Sequence, residues 1–312
     1  MTPSSTDMDT ATPNVAIHCV AFNQENYIRQ CLDGFVMQQT TFPFHAVVHD
    51  DASTDGTADI IRDYAQRYPD IIRPILETEN QWSKHDGSLL RIMEAACGGS
   101  KYIAFCEGDD YWTDPLKLQK QVDFMEAHPD YSGCFHNVEV LDQRTGRILP
   151  VPDEDKIPED TTIPDLIPYN YIHTASALYR QNPTVTRKLH RLANSIVLDY
   201  PRHVLYAEQG KIKHLSDKMA VYRLGVGIWN GANGSDFKNT IQSFMAQASL
   251  YSLLEDEAAR KLLDKKLKGY LTKLNGLYDA QGQEIHRLQN TKAFRLGKSL
   301  LAPLHFLKKN NK

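Results

Sequence analysis

The stretch YIAFCEGDDYW, residues 102–112, passes from an apolar segment directly into a cluster of acids followed by two large aromatic residues. The acids are Glu107, Asp109 and Asp110. Ionised carboxylates this close repel one another, so the cluster needs an offset, either a solvated turn or a bound cation. Tyr111 and Trp112 favour the cation, because large aromatic side chains beside a turn usually pack against other groups.

The segments before this stretch alternate between strand and helix patterns. The strand-like segments are VAIHCVAF, HAVVH, IIRPIL and YIAFC. This order predicts an α/β fold, with a mainly parallel sheet covered by helices on both faces. Such sheets bind ligands at the carboxyl ends of their strands. Asp50 and Asp51 end the second strand and Asp109 and Asp110 follow the fourth, so we expect both acidic pairs to face one crevice.

The second half of the chain is predicted to hold more strands. YSGCFHNVEVLD and HTASALYR are strand-like, and the Pro- and acid-rich residues 150–168 between them are expected to form a long surface loop. A short helical stretch contains Asp199, and KIKHL and MAVYRL follow as two further strands. Residues 236–290 contain no proline and are predicted to be mostly helical.

Composition bounds the class of protein. Of the 312 residues, 41% are hydrophobic and 24% charged, values typical of a soluble globular protein. No window approaches the roughly 20 apolar residues of a membrane-spanning helix. The five cysteines show no CxxC spacing, so we expect reduced, buried thiols and a cytosolic compartment. Six of the 35 basic residues lie in residues 291–312, which contain no acid. The rest of the chain, its acidic body, therefore has 29 basic residues against 39 acids. Such a surface does not suit nucleic acid, whose phosphates need a broad basic face.

The segment HDDASTDGT, residues 49–57, has two structural interpretations. It resembles the start of an EF-hand loop, but the twelfth position counted from Asp51 is Arg62 where a glutamate is needed, and a strand precedes it instead of a helix. Capping by a hydroxyl side chain and a turn at Gly56 explain the end of the segment. Neither explains two adjacent acids at the sheet edge, so we expect Asp51 to have a ligand role.

Four ordered segments between about residues 14 and 230 resemble the family 2 glycosyltransferases of bacterial surface-polysaccharide synthesis. They are VAIHCVAFNQENYIRQCLDGFVMQQ, VVHDDASTDGTADII, YIAFCEGDDYWTDPLKLQKQVDFM and VLDYPRHVLYAEQGKIKHL. The resemblance implies an inverting enzyme with the GT-A fold, in which a nucleotide-binding, Rossmann-like sheet is followed here by a helical extension. It also implies a nucleotide-sugar donor, with UDP as the expected nucleotide, and a divalent cation, Mn²⁺ or Mg²⁺.

The resemblance assigns roles to six residues. The backbone around Ala21 and Phe22 would line the nucleobase pocket, and Asp51 would hydrogen-bond the base or the ribose. Asp109 and Asp110 match the metal motif, one contacting the donor ribose or phosphates and the other the cation. The sixth is Asp199, which matches the general base: it would take the proton of an acceptor hydroxyl as that hydroxyl displaces the diphosphate.

Two positions depart from the family pattern. Glu107 replaces the usual first aspartate of the metal motif, and Gly225 stands where many relatives have a metal-binding histidine. His173 and His203 are possible substitutes for that histidine. Gly225 favours an alternative function, a glycosyltransferase-like module that binds without turnover, whereas the retained acids favour the enzyme. A nicotinamide-dependent enzyme is disfavoured, because AFNQEN follows the first strand in place of GxGxxG.

The expected organisation follows from these segments. We expect a disordered tail (1–13), a GT-A domain (14–235) with a nucleotide-sugar half (14–130) and an acceptor half (131–235), a helical extension (236–290) and a basic amphipathic tail (291–312). The tail would form a helix kinked near Pro303 that lies on an anionic membrane, or docks on the preceding helices or a second subunit. The expected partners are therefore a nucleotide-sugar donor, a glycan or lipid-linked acceptor, the inner face of the cytoplasmic membrane and a second copy of the chain.

Overall fold

The computed structural model describes residues 14–192, 198–226 and 236–289. The strands are β1 (Val15–Ala21), β2 (Phe44–Asp50), β3 (Ile72–Leu76), β4 (Tyr102–Phe105), β5 (Tyr111–Trp112), β6 (Tyr131–Asp142), β7 (Arg147–Leu149), β8 (Asp160–Thr161), β9 (Leu178–Arg180) and β10 (Lys211–Leu224). The α-helices are α1 (Ile28–Val36), α2 (Thr57–Arg67), α3 (Ser88–Cys97), α4 (Lys117–Ala127), α5 (Ile163–Leu166), α6 (Pro183–His190), α7 (Asp199–Ala207), α8 (Asp236–Tyr251) and α9 (Glu257–Gln289). The predicted tails, 1–13 and 291–312, lie outside the described residues.

One sheet runs through the domain in the order β3-β2-β1-β4-β9-β6-β10-β5. The first four strands are parallel, and Ala21 pairs with Asp50, which pairs in turn with Leu76, so β1, β2 and β3 end at one edge. β9 is antiparallel to both its neighbours, and β6 and β10 are parallel. The α/β prediction is confirmed, and the antiparallel β9 separates two parallel groups of strands.

Both faces of the first four strands are covered, as predicted. Alternate side chains of β1, from Val15 to Ala21, pack into a core with α1, α2 and α4. On the opposite face Ala16 packs with Met93 and Cys97 of α3. This burial on two faces explains why β1 reads as a nearly continuous apolar run. All five cysteines are buried and free, as expected for reduced thiols.

Two sequence predictions about the second half were wrong in detail. KIKHL and MAVYRL belong to a single strand, β10, which pairs with β6 along its length and absorbs the polar residues 216–218 through register shifts. Residues 150–168 are not an unstructured loop, because they contain β8 and α5. Ile163 and Leu166 of α5 are buried, and Thr162 with Asp165 forms a capping box.

The two C-terminal helices, α8 and α9, confirm the helical prediction for the residues after 235. Leu250 of α8 and Leu263 of α9 are fully buried and pack in one cluster with Val204 of α7. Gln247 donates a 2.9 Å hydrogen bond to the hydroxyl of Tyr270, which joins the two helices. Within the described residues, no helix is both long enough and apolar enough to cross a membrane.

Candidate active site

The loops after β1 and β2 are tied together at the carboxyl edge of the sheet. The main-chain N–H of Asp51 donates a 2.9 Å hydrogen bond to the carbonyl of Ala21. Further bonds run from Asn23 N–H to Ser53 Oγ (2.8 Å), from Gln24 N–H to Thr57 Oγ1 (2.7 Å), from Glu25 N–H to Asp55 Oδ2 (3.1 Å) and from Gly56 N–H to Glu25 Oε2 (2.8 Å). The polar residues of HDDASTDGT therefore fix the AFNQEN loop. The predicted hydroxyl cap of α2 was wrong, because Ser53 Oγ accepts from Asn23 and Asp55 Oδ1 accepts the N–H of Thr57 at 3.0 Å.

Asp51 is 1% exposed and uses both carboxylate oxygens. Oδ1 accepts the N–H of Gln81 at 2.6 Å, and Oδ2 accepts the N–H of Trp82 at 3.0 Å. The side chain of Asn80 donates to the main-chain carbonyl of Asp51 at 2.8 Å. Asp51 thus anchors the loop before α3, a role that the sequence did not suggest. A carboxylate has about four lone-pair positions, so its predicted contact with the nucleoside stays a prediction.

Ala21 and Phe22 lie where β1 ends at this edge. Ala21 is buried, and its carbonyl is engaged by Asp51. Phe22 is 45% exposed, a large fraction for an aromatic ring beside a crevice. The structure therefore brings together Ala21, Phe22 and Asp51, the three residues predicted to surround the nucleobase and ribose.

The acid turn, residues 106–110, joins β4 to β5 and presses against the end of β1. The N–H of Gly108 donates to the carbonyl of Val20 at 3.0 Å, and the N–H of Asp110 donates to the carbonyl of Glu107 at 3.0 Å. A Cβ at residue 108 would lie 2.3 Å from Oε1 of Gln24 and 2.9 Å from the Ile28 side chain. Glycine at position 108 therefore lets the turn approach β1 without displacing the side-chain ends of Gln24 and Ile28.

Arg223 of β10 holds the acid turn from the other side. Its main-chain N–H donates to Asp110 Oδ1 at 2.8 Å, and its guanidinium donates to the main-chain carbonyl of Asp109 and to the side chain of Gln30. The guanidinium also lies over the rings of Tyr27 and Tyr111, 5.1 and 4.5 Å from their centroids. A buried cation is thus fixed beside the two aspartates of the predicted metal motif.

Burial shifts the pKa of every carboxyl in the acid turn upwards. Burial and then the neighbouring charge of Asp109 raise the pKa of Glu107 to about 8. Burial, followed by repulsion from Asp109, raises the pKa of Asp110 well above its ordinary value. Burial also raises the pKa of Asp109, and the charge of Arg223 opposes this shift. The turn therefore holds protons that a bound cation would displace.

Asp199 is the first residue of α7 and lies near the acid turn. Its negative charge adds to the rise in the Glu107 pKa, which burial and Asp109 dominate, so the two carboxyls face the same region. One turn further along α7, the guanidinium of Arg202 lies 4.2 Å from the ring centroid of Phe105, the last residue of β4. The predicted base is therefore brought to the carboxyl end of the central strand.

The histidines considered as substitutes for the missing metal ligand are occupied in other ways. Nδ1 of His203 is 2.6 Å from the hydroxyl of Tyr179 inside the protein, and the ring of the partly buried His173 is 5.0 Å from that of Tyr222. Gly225 is exposed and has φ +91°, a conformation that disfavours a histidine there. In the described part of the chain, no group of three or more His, Cys, Asp or Glu side chains is arranged to hold a metal ion.

Comparison with known proteins decides the family. The profile of the family described as Glycosyl transferase family 2 matches residues 17–184, more than half of the chain. The chain belongs to this family. The resemblance inferred from the four sequence motifs is confirmed.

Individual relatives of this glycosyltransferase agree. Rv1520, an uncharacterized protein of Mycobacterium tuberculosis, is 42% identical over 219 residues, 70% of this chain and 61% of that protein, so the match spans about three fifths of the relative. S. aureus TarS 1–349 in complex with UDP-GlcNAc has a TM-score of 0.60 at 17% identity, covering 83% of this chain and 71% of that one. Mannosyltransferase PcManGT from Pyrobaculum calidifontis, in complex with GDP-Man and Mn²⁺, has a TM-score of 0.53 at 17% identity, covering 94% and 85%. The two structures show that the fold is GT-A.

Sequence reasoning missed two cations of this glycosyltransferase site, Arg223 and Arg202. Arg223 is only two residues before Gly225, the departure that the sequence did reveal. Its contacts with Asp110 span 113 residues of sequence, so no local pattern announces them. Arg202 is three residues after Asp199, and this helical spacing was a usable signal, because such residues lie on one face of a helix.

Proposed function

We propose that this glycosyltransferase moves a sugar from a nucleotide-diphosphate donor, with UDP as the nucleotide, to a hydroxyl of a glycan or lipid-linked acceptor with inversion of configuration. The observation that carries the proposal is the convergence of three groups at one sheet edge: the Ala21–Asp51 junction, the acid turn and Asp199. Strand ends of this kind are where open α/β sheets bind ligands.

The nucleotide end of the donor would lie on the first two strand ends. Ala21 and Phe22 would line the nucleobase pocket, and the remaining lone pairs of Asp51 would accept a hydrogen bond from the base or ribose. Because Asp51 is already held by the N–H groups of Gln81 and Trp82, its carboxylate is oriented before the nucleotide arrives. The TarS complex contains UDP-GlcNAc, which supports UDP as the first nucleotide to test.

The acid turn has a donor set that suits a divalent cation shared with a diphosphate. No other residue in the described part of the chain donates a hydrogen bond to the Asp109 carboxylate, and Arg223 occupies one oxygen of Asp110 and leaves the other. One or two carboxylates completed by phosphate oxygens and water are the ligands that Mg²⁺ and Mn²⁺ accept. Asp109 and Asp110 would therefore hold the cation, which when bound stabilises charge on the leaving diphosphate.

Asp199 would act as the general base. Its position at the start of α7, near the acid turn, supports this role, in which the carboxylate would reach an acceptor hydroxyl on the sugar face opposite the diphosphate. Removal of the hydroxyl proton as the bond to the anomeric carbon forms gives inversion in a single displacement. The fixed charge of Arg223 would hold the acid turn still while negative charge develops on the leaving group.

The acceptor and the cellular site are inferred from charge. The acidic body and the six basic residues in 291–312 favour a peripheral position on an anionic membrane at its cytoplasmic face, where lipid-linked acceptors are found. Contact with a second copy through residues 236–312 is the other arrangement that we propose for this end of the chain. Residues 291–312 lie outside the described residues, so both arrangements rest on sequence.

Calorimetric titration of UDP, with and without Mn²⁺, tests the proposal. We expect binding that needs the cation, is lost in Asp109→Ala and is retained in Asp153→Ala, a matched substitution at an exposed turn. A panel of UDP-sugars, scored by release of UDP, then tests transfer with Asp199→Asn as the inactive control. Failure of both UDP and GDP to bind would overturn the nucleotide-sugar assignment.

The alternative function is a module that binds a nucleotide sugar or glycan without turning it over. Gly225, in place of a metal-binding histidine, is the observation that favours it. The two functions differ in one measurement. Binding of UDP with no UDP release from any donor, in the presence of either cation, favours the module, whereas UDP release that depends on Asp199 excludes it.

A further inference from the structure

Arg202 is a buried cation without a counter-ion bond. The residue is 8% exposed, and its guanidinium neither donates a hydrogen bond to, nor forms an ion pair with, any residue in the described part of the chain. Its recorded close contact is the ring of Phe105, at 4.2 Å from guanidinium carbon to ring centroid. Burying a guanidinium costs free energy that a single ring contact offsets only in part. No hydrogen bond or ion pair within the described residues offsets the rest.

Among the described residues, the other buried arginine, Arg223, and the partly buried Arg180 each have an acceptor. The guanidinium of Arg223 donates to the carbonyl of Asp109 and to Gln30, and that of Arg180 donates to the carbonyl of Met125 at 2.7 Å. Arg202 differs from both, since five N–H donors are held in place without an acceptor. Unused donors of this kind at a sheet edge are typical of a ligand site.

The position of Arg202 places those donors in the active site. Arg202 follows Asp199 by three residues, so both side chains lie on one face of α7. Phe105 ends β4, and the acid turn begins at the next residue. The guanidinium also lies close enough to Glu107 that its charge opposes the rise in that pKa, which burial dominates. Arg202 is therefore beside the predicted base and behind the residues that would hold the diphosphate.

The nearby carboxyls do not supply a bound partner. Glu94 of α3 forms its ion pair with His190. Asp199, three residues before Arg202 on α7, forms no ion pair with it within the described residues. The carboxyl of Glu107 accepts no hydrogen bond and forms no ion pair within the described residues. The charge of Arg202 is thus left for a substrate group.

We propose that Arg202 binds the carboxylate of a sugar acid, so that the donor is a nucleotide-linked uronate. The guanidinium fork matches a carboxylate with two parallel hydrogen bonds, whereas a neutral sugar offers hydroxyl oxygens that leave the buried charge unbalanced. The donor sugar is favoured over the acceptor because Arg202 packs on β4, from which the acid turn continues. This inference rests on the proposed nucleotide-sugar function.

The test compares donors that differ only in the carboxylate. Affinities of UDP, UDP-glucose and UDP-glucuronate are measured by calorimetry with Mn²⁺, and GDP-mannose and GDP-mannuronate form a second pair. We expect the wild type to bind the uronate of its nucleotide at least tenfold more tightly than the hexose. Arg202→Gln should abolish this preference and leave the affinity for the bare nucleotide unchanged, and Arg202→Lys should retain part of it.

Arg144→Gln, at an exposed turn, is the matched control, and thermal unfolding establishes that each variant is folded. Equal affinity for uronate and hexose in the wild type, or a preference that survives in Arg202→Gln, would overturn the inference while nucleotide binding leaves the proposed function intact. Binding of none of the nucleotides would overturn both. In a last measurement, a uronate-terminated oligosaccharide is titrated into the complex of protein and nucleotide. If the preference for a carboxylate is found with this acceptor and not with the donors, the assignment of Arg202 to the donor sugar is overturned.

Discussion

The main-chain N–H of Arg223 donates a 2.8 Å hydrogen bond to Oδ1 of Asp110, across 113 residues of sequence. The same residue's guanidinium donates to the carbonyl of Asp109 and to Gln30 of α1. One side chain thus connects β10, the acid turn and α1. Two residues before Gly225, where the family resemblance led us to expect a histidine ligand, this chain has a fixed cation.

Replacement of Arg223 by methionine should loosen the acid turn and weaken binding of the nucleotide with its cation at least tenfold. Loss of a bidentate, buried donor typically costs about 1.5–3 kcal/mol per charged hydrogen bond. Affinity for Mn²⁺ alone should rise, because a positive charge beside Asp109 and Asp110 is removed. The two affinities are measured by calorimetry, and Arg144→Met on an 82% exposed side chain is the control. A parallel fall in both affinities would indicate simple misfolding instead.

Asp199→Asn should leave donor affinity unchanged and reduce sugar transfer by about 10²–10⁴-fold, the usual contribution of a general base. The amide keeps the size of the side chain but cannot take a proton. Initial rates of UDP release and calorimetric affinities separate the two effects. Asp217→Asn, at a half-exposed residue of β10, should keep full activity. Equal loss of affinity and rate in Asp199→Asn would argue that this residue binds the donor and is not the base.

Asp51→Asn tests whether Asp51 only anchors the loop before α3 or also contacts the nucleoside. The asparagine retains one acceptor, so one of the N–H groups of Gln81 and Trp82 loses its partner and faces the amide group. An unsatisfied buried donor costs about 1–3 kcal/mol, and we expect that decrease in the free energy of unfolding by urea. If the nucleotide affinity of the folded variant falls more than tenfold, Asp51 also makes the predicted contact with the nucleoside. If the affinity is unchanged, Asp51 serves only to anchor the loop.

Glu107→Gln should change how stability depends on pH. Burial and Asp109 raise the folded-state pKa of Glu107 to about 8, whereas the unfolded value is about 4.3. The folded state therefore holds a proton that the unfolded state releases, and stability falls as pH rises from about 4.3 through 8. Glutamine has no proton to lose, so its stability gain over the wild type should be near zero at pH 4.5 and largest at pH 8 and above.

Thermal unfolding without metal at several pH values measures this difference. Asp109 and Asp110 keep their own raised pKa values, so the variant should retain part of the slope. Glu139→Gln, at an exposed position of β6, is the matched control and should follow the wild type. A Glu107→Gln curve parallel to that of the wild type over the whole range would contradict the buried, protonated carboxyl.

The strand order of the first half was predictable because each of these strands is buried on both faces and is followed by a polar loop. Each strand therefore appears in the sequence as a short apolar segment with a clear end. VAIHCVAF and HAVVH therefore gave β1 and β2 nearly to the residue, and the acids after them gave the edge where ligands bind. The second half was harder to predict, because β10 continues as one strand across the polar residues 216–218, with shifts in its pairing to β6. No local pattern distinguishes a bulge from a break between strands.

The same limit applies within the site. Asp51 and the acid turn were visible because acids at a strand end are unusual on their own. The residues that hydrogen-bond to these carboxylates could not be predicted, because Gln81, Trp82 and Arg223 reach them only through tertiary contacts. A sequence motif therefore located the carboxylates, and the fold determined which oxygens remain for a ligand.

Lys117, at the start of α4, is a buried cation outside the site and gives the last prediction. Its Nζ has no hydrogen-bond partner within the described residues and lies 3.8 Å from the ring centroid of Trp112. Burial lowers its pKa to about 7, an effect that the nearby thiols of Cys106 and Cys134 oppose. Between about pH 7 and 10.4 the unfolded chain binds a proton that the folded chain lacks, so stability rises with pH.

Lys117→Met should therefore stabilise the protein by about 1–4 kcal/mol at pH 6.5, as replacement of a buried charge by an apolar side chain often does. The gain should shrink at pH 9.5, where the buried lysine is already neutral. Urea unfolding at the two pH values measures it, with Lys261→Met on the exposed face of α9 as control. A methionine variant that is less stable than the wild type at pH 6.5 would show that the contact with Trp112 outweighs the cost of burying the charge.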